Sequence, residues 1–349
     1  MNTNFAVRAG ILYLVIFVIN FAVGTCQTAT NPVRGSCTIF SASAGDKVFF
    51  GNNEDYYRPR TYLWTEPGTN GNYGCLYLGF KDYSHQGGIN EKGLCFDANA
   101  LPKSKLNLHE ELVPPPNYDA PYENFVIWIA VLIMRKAATV EEAIDLAGRY
   151  QRNNWYADAG GLKYQLHLAD AKGDAVVISV DQQGELAFTR KEPGKRYLIS
   201  TNFNRANPDN ALDFPCARYA LTEQMLDEIQ NEDALNVEYF KTILDRSHEE
   251  GIFNNTLYSN IFDLKNGIVY LYHWHQYDEV VRLNVTEELK KGIKLVRIKD
   301  LFSGETQRAA SEEYAMSILL LSVSVVLGTI LVIAAIGYIK KHKFSMMDK

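Results

Sequence analysis

The chain has 349 residues, 47% of them hydrophobic, with 21 Tyr and 17 Phe, which is ample core for one large domain or two small ones. Net charge is −6, but the ends are basic: Arg8 and Arg34 are the only charges in 1–36, and four Lys stand against Asp348 in 340–349. That leaves about −11 on residues 37–339, a poor candidate for nucleic acid because it repels phosphate.

In chain order, Gly10 to Val23 follows Arg8 as fourteen residues broken only by Asn20. This is short for a span and the length of a signal-peptide core. With small Ala22 and Gly24 before Thr25, it predicts a signal peptide over 1–24, an uncleaved anchor being the alternative. Thr25 to Ser36 is polar and reads as a short pro-segment, where Val23-Gly24-Thr25 is a poor approach to a lipidated Cys26.

Cys37 to Phe40 then opens an apolar, β-prone run, Gly45-Asp46 turns, and Lys47 to Phe50 forms a second strand ending in a polar cluster of Asn52, Asn53 and Asp55. A hairpin sets the end of its second strand beside the start of its first, which brings Asp55 and Asn52 near Cys37. A thiol among fixed polar groups is how a nucleophile is held and its proton managed.

Strands and turns continue to about Pro102, and Lys103 to Asp119, with Pro114, Pro115 and Pro116, reads as a surface loop. Tyr122 to Lys136 holds ten consecutive apolar residues, too short to span a membrane and suited to a helix sandwiched between layers. Thr139 and Glu142 form a capping box for the next helix. Gly161 to Ser200 returns to strands, and Pro215 to Gln230 and Asp233 to Arg246 read as helices. Leu257 to Leu283 gives three strands around turns at Lys265-Asn266-Gly267 and Gln276-Tyr277-Asp278. Leu301 to Tyr314 is a polar stalk.

Ala315 to Ile339 is 25 residues without a charge, followed at once by Lys340, Lys341 and Lys343. That predicts one transmembrane helix with residues 340–349 in the cytoplasm and the body outside it. The alternation of strands and helices predicts an α+β body of two antiparallel sheets with helices outside. If Cys37 stays free, at most one disulfide joins Cys75, Cys95 and Cys216, with the pairing open.

The Cys37-Thr38 start and Gly51-Asn52-Asn53-Glu54-Asp55 resemble the N-terminal-nucleophile (Ntn) amide hydrolases of the choloylglycine hydrolase, penicillin V acylase and isopenicillin-N acyltransferase group. Three further matches follow in the family's order: Asn90-Glu91-Lys92-Gly93-Leu94 with Asn99-Ala100-Leu101-Pro102, then Ser200-Thr201-Asn202-Phe203, then Cys216-Ala217-Arg218-Tyr219. The resemblance spans roughly residues 37–285. It implies the αββα four-layer sandwich, a catalytic domain over 37–300, and maturation by cutting between Ser36 and Cys37. Cys37 is then the nucleophile, with its own α-amine (pKa roughly 7.7–8.0) as base.

By the same resemblance Asp55 orients that amine, the Asn99–Ala100 backbone and the Asn202 amide receive the oxyanion, and Arg218 steadies the nucleophile's neighbours. Asn52 departs from the pattern. Bile-salt hydrolases and penicillin V acylases carry Arg there, so their specificity does not carry over.

Other chemistries have less behind them. His273-Trp274-His275 would put two imidazoles on one strand face without a third metal ligand. His85 or His167 has no papain-like motif, and there is no phosphate loop, GxSxG or HExxH. The expectation is therefore a membrane-anchored cysteine Ntn hydrolase that needs no cofactor or metal and cleaves linear, non-peptide C–N amide bonds of a small molecule through an acyl-thioester on Cys37. Hydrolysis or acyl transfer would complete the cycle. A non-catalytic ligand-binding ectodomain on the same fold is the alternative, and the amide substrate and oligomeric state stay open.

Overall fold

The computed structural model describes residues 37–347 except 70, 81–82, 110, 114–128, 151–156, 159–160, 209–215 and 252–253. The expected signal peptide and pro-segment, residues 110 and 114–119 of the expected proline loop, and residues 122–128 of the expected helix lie outside the described residues. The body is the unit Val33–Ser311, and residues from Glu312 onward belong to a second unit.

Two antiparallel sheets form the body. The smaller is ordered β11-β1-β2-β12-β13-β14, from β1 (Thr38–Ala44), β2 (Lys47–Tyr56), β11 (Tyr197–Ser200), β12 (Asn255–Asp263), β13 (Ile268–His273) and β14 (Gln276–Asn284). The larger runs β10-β9-β8-β6-β5-β4-β3-β15, with β7 (Ala157–Asp158) paired to β8. Its strands are β3 (Thr61–Glu66), β4 (Cys75–Phe80), β5 (Ser84–Asn90), β6 (Cys95–Ser104), β8 (Gly161–Ala169), β9 (Ala175–Val180), β10 (Leu186–Arg190) and β15 (Lys294–Arg297).

Side-chain alternation assigns the layers. Along β1, Phe40 and Ala42 face α3 (Ala217–Asp227) and α4 (Val237–Ser247), where the Phe40 and Phe240 rings lie 4.9 Å apart. Ser41 faces the other sheet, 3.2 Å from His167 of β8. Both faces of β1 are thus covered, and every residue of it but Ser43 is buried. Beyond the larger sheet, α1 (Ile129–Lys136) and α2 (Val140–Arg149) pack on Trp64, Tyr77 and Phe96. The order of layers is αββα.

Every residue of α1 from Ile129 to Arg135 is buried, as its unbroken apolar run demands. Thr139 caps α2, accepting from the Glu142 N–H at 3.3 Å. A short α5 (Val285–Lys290) links β14 to β15.

Several expectations need correction. β2 does not stop at Phe50; it runs through the polar cluster to Tyr56. It is held there because Asn53 finds partners on α4, donating to Leu244 O at 2.9 Å and Ser247 Oγ at 3.3 Å. β6 likewise continues to Ser104, into the expected loop. The turn between β13 and β14 falls at Trp274–His275, not Gln276–Asp278. Trp274 takes a positive φ of 57° there, anchored by its buried indole and by its backbone N–H on Leu257 O at 2.8 Å. His273 therefore ends a strand while His275 sits in the turn and stacks on His248, so the two imidazoles do not share a strand face.

The expected stalk is helical from Gly304, within α6 (Gly304–Met347), because nothing in Glu305 to Tyr314 breaks a helix. Residues Gly304–Gly337 are long and apolar enough to cross a membrane. Among the described cysteines, Cys37, Cys75, Cys95 and Cys216 are all free.

Candidate active site

Register builds the site. Thr38 pairs with Asn53 and Ile39 with Asn52, so the start of β1 lies beside the Glu54–Asp55 end of β2. Period-2 alternation then divides the polar cluster. Asn53 and Asp55 turn toward the helices, whereas Cys37 and Glu54 turn toward the space between the sheets.

Four separate segments converge on Cys37. Asn99 of β6 donates its Nδ2 to the Cys37 carbonyl at 3.0 Å. Arg218, at the start of α3, donates to the same carbonyl at 3.0 Å and to Thr38 Oγ1 at 2.7 Å. Its guanidinium also pairs with Glu249 at 2.8 Å, reaches Asn202 Oδ1 at 3.2 Å, and lies 3.9 Å from Asp55. Asn202 in turn donates to the Ala100 carbonyl at 2.9 Å.

The structure thus brings Cys37, Asp55, Asn99, Ala100, Asn202 and Arg218 together. The Asn202 amide nitrogen is already engaged by Ala100, although an amide carries a second N–H. Asn52 sits on the inter-sheet face opposite Asn260 of β12. Neither of its side-chain atoms completes a hydrogen bond, though its amide lies near enough to act on Glu54.

Electrostatics set this region apart. Asp55 accepts from the Thr256 hydroxyl through Oδ1, but its Oδ2 is buried without a hydrogen bond. Burial lifts its pKa well above the carboxylate range, with Arg218 and Thr256 pulling the other way. The Cys37 thiol is pushed well up by burial, then by the nearby Glu54, Asp55 and Asp97, against one lowering contact from the Asp55 backbone N–H.

Two residues given no role in the sequence reading complete the set. Cys37 Sγ donates to Glu54 Oε2 at 3.6 Å, and burial raises Glu54 to about 8, while the thiol and Asn52 hold it down. Asp97 of β6 is raised by burial and by Glu54, its Oδ1 accepting the Ala98 N–H at 2.8 Å. Gly87 makes room for Asp97, since a Cβ there would fall 2.1 Å from Asp97 Oδ2. Period-2 spacing was the available signal: Glu54 is two positions from Asn52, and Asp97 two from Asn99.

No family profile and no curated protein matches the chain. Solved structures do. A variant of the conjugated bile acid hydrolase from Clostridium perfringens aligns with TM-score 0.57 at 15% identity, over 75% of this chain and 96% of its own. Penicillin V acylase from Agrobacterium tumefaciens gives TM-score 0.57 and 15% identity over 75% and 91%. The chain shares their fold. A second variant of the bile acid hydrolase agrees, at TM-score 0.57 and 16% identity over 75% and 97%.

Proposed function

We propose that this chain is a membrane-anchored cysteine Ntn hydrolase that cleaves a linear, non-peptide C–N amide bond through an acyl-thioester on Cys37. The observation that carries the reading is the convergence on Cys37, just before β1, of Asn99 and Arg218 at its carbonyl, with Asp55 and Asn202 held by Arg218 behind them. Solved neighbours named as a hydrolase and an acylase support amide chemistry on this fold.

The mechanism requires a cut between Ser36 and Cys37. The freed α-amine, with pKa roughly 7.7–8.0, takes the thiol proton and returns it to the leaving amine. The buried, unsatisfied Asp55 Oδ2 is an acceptor suited to that amine's N–H groups. Sγ attacks the amide carbonyl, and the oxyanion is met by backbone N–H at Asn99–Ala100 and by the Asn202 amide, a donor class worth about 3 kcal/mol. Water resolves the thioester, or a second amine does so in acyl transfer.

A signal peptide at the N-terminus and a span at 315–339 would hold this domain outside the cytoplasm. Protease added to intact cells should then release it by cutting within 302–314; a domain exposed only after lysis contradicts that topology.

A non-catalytic binding ectodomain is the second reading, and the thiol held protonated in the uncut chain favours it. Activity decides between them. The mature protein should turn over amides and lose all turnover on Cys37→Ala; ligand binding without turnover, with the 36–37 bond intact, would refute the enzyme.

A further inference from the structure

The α-amine cannot serve the cut that frees it. While Ser36 and Cys37 are joined, the Cys37 nitrogen is an amide without a basic lone pair, yet the thiol must lose its proton to open that bond. Among the described residues, the hydrogen bond of Cys37 Sγ goes to Glu54 Oε2, at 3.6 Å. We propose that Glu54 is the catalytic base of the maturation cut that the Ntn reading already requires, its carboxylate taking the proton of the Cys37 thiol as the Ser36–Cys37 bond is opened from within the chain. The proposal rests on reading Cys37 as the nucleophile.

Position supports the role. Glu54 is 2% exposed, near the end of a strand covered on both faces, where a carboxyl carries a heavy desolvation cost. The groups facing it are the thiol from the start of β1, Asp97 from β6 and Tyr258 from β12. Asp55 adjoins it on β2, with Arg218 of α3 beyond. Arg218 donates to Cys37 O, Thr38, Asn202 and Glu249, so its charge is directed at the other side of the strand. Burial pushes the Glu54 carboxyl up to about 8, against the pull of the Cys37 thiol and the Asn52 amide. That matches the roughly 7.7–8.0 of an α-amine, so a base of similar strength is in place before the amine exists.

The step balances. The Glu54 carboxylate accepts the thiol proton as Sγ bonds to the Ser36 carbonyl carbon, and the C–N bond then breaks with Glu54 returning the proton to the Cys37 nitrogen. This leaves the residue-36 acyl group as a thioester on Sγ beside a free α-amine. Water adds to the thioester, releasing the Ser36 carboxylate and restoring the thiol. The sum is hydrolysis of one peptide bond.

The test follows the cut in the full-length chain, made by cell-free synthesis with detergent micelles, with the new N-terminus identified by sequencing between pH 6 and 9. A base must be ionised to act, so the wild-type rate should climb about 30-fold from pH 6.5 to 9 and level off above about 8. Glu54→Gln, scored on soluble, protease-resistant protein, should slow the cut about 100-fold, and Glu54→Asp should regain part of it.

A bystander carboxylate predicts the opposite sign. Its charge raises the thiol pKa, so removing it would ease ionisation and speed the cut. Glu54→Gln as fast as wild type or faster overturns the proposal, as does Glu54→Asp no better than Glu54→Gln. A wild-type rate flat from pH 6 to 9 overturns it even if the variants fail to fold. A wild-type chain that stays uncut on its own also overturns it, yet leaves the hydrolase reading standing. That reading is tested separately by amide turnover in protein cut at Cys37 by an added protease.

Discussion

The interior beneath α1 and the interior around Cys37 are equally buried but treat their acids differently. Under α1, Glu66 is paired with Arg135 at 2.6 Å and lies 3.9 Å from His85, and Asn90 places its amide on the Met134 and Ala137 carbonyls at 2.8 Å each. Around Cys37 lie three carboxyls, Glu54, Asp55 and Asp97, of which Asp55 has the Arg218 guanidinium 3.9 Å away. Asp55 Oδ2, Asp97 Oδ2 and the Tyr258 hydroxyl make no hydrogen bond. Each such group costs about 1–3 kcal/mol, and beneath α1 Trp64 Nε1 carries the same cost, so what separates the two regions is how their acids are paired. The first region holds the fold, and the second stores charge and proton capacity beside a thiol.

Breaking the paired region should give the largest stability effect. Glu66→Gln removes the negative charge that faces the buried Arg135 and should cost about 3–5 kcal/mol in thermal or urea unfolding. A loss below 1 kcal/mol would mean that the pair is not what holds α1 to the larger sheet.

In the second region the large effect is on rate. Asn202→Ala should lower kcat about 10²–10³-fold with little change in KM, because a donor aimed at the oxyanion is felt mainly in the transition state. A rise in KM alone would make Asn202 a substrate-binding or positioning group instead.

A pH effect comes next, best read on uncut chain held by Cys37→Ala. The acids at the site have folded pKa values above their unfolded ones, so the folded state binds more protons. Their stabilising contribution is complete below about pH 4 and is lost as pH rises through the folded values, Glu54's being about 8. The Tm should therefore fall between about pH 5 and 8, and Glu54→Gln should flatten part of that fall. A Tm that climbs across this range contradicts the assignment.

The smallest effect is expected at Asp97. With its pKa raised by burial and by Glu54 and no cation paired to it among the described residues, Asp97 should tolerate Asp97→Asn within about 1 kcal/mol, in contrast to Glu66. A loss of several kcal/mol would show that Asp97 is paired after all.

Much of this was legible in the residues. Cys37, Asp55, Asn99, Asn202 and Arg218 stood out by type and by their order in the family resemblance, which also implied the αββα layers; strand and helix periodicity alone supports only an α+β body. The full length of β2 did not, because Asn53 is satisfied by Leu244 O and Ser247, which are distant in sequence. Glu54 occupies a variable position of a five-residue signature, and only the pairing of β1 with β2 shows that it meets the thiol. The Trp274–His275 turn escaped because a buried indole, rather than a turn residue, holds it. The stalk read as polar, and polarity alone does not distinguish an exposed helix from a coil.

The central claim is that Cys37 works as a chain terminus. N-terminal sequencing of the protein fraction that carries amide-hydrolysing activity tests it directly. The account predicts Cys37 as the first residue. An active protein that begins at Thr25, with Ser36 and Cys37 still joined, would contradict it.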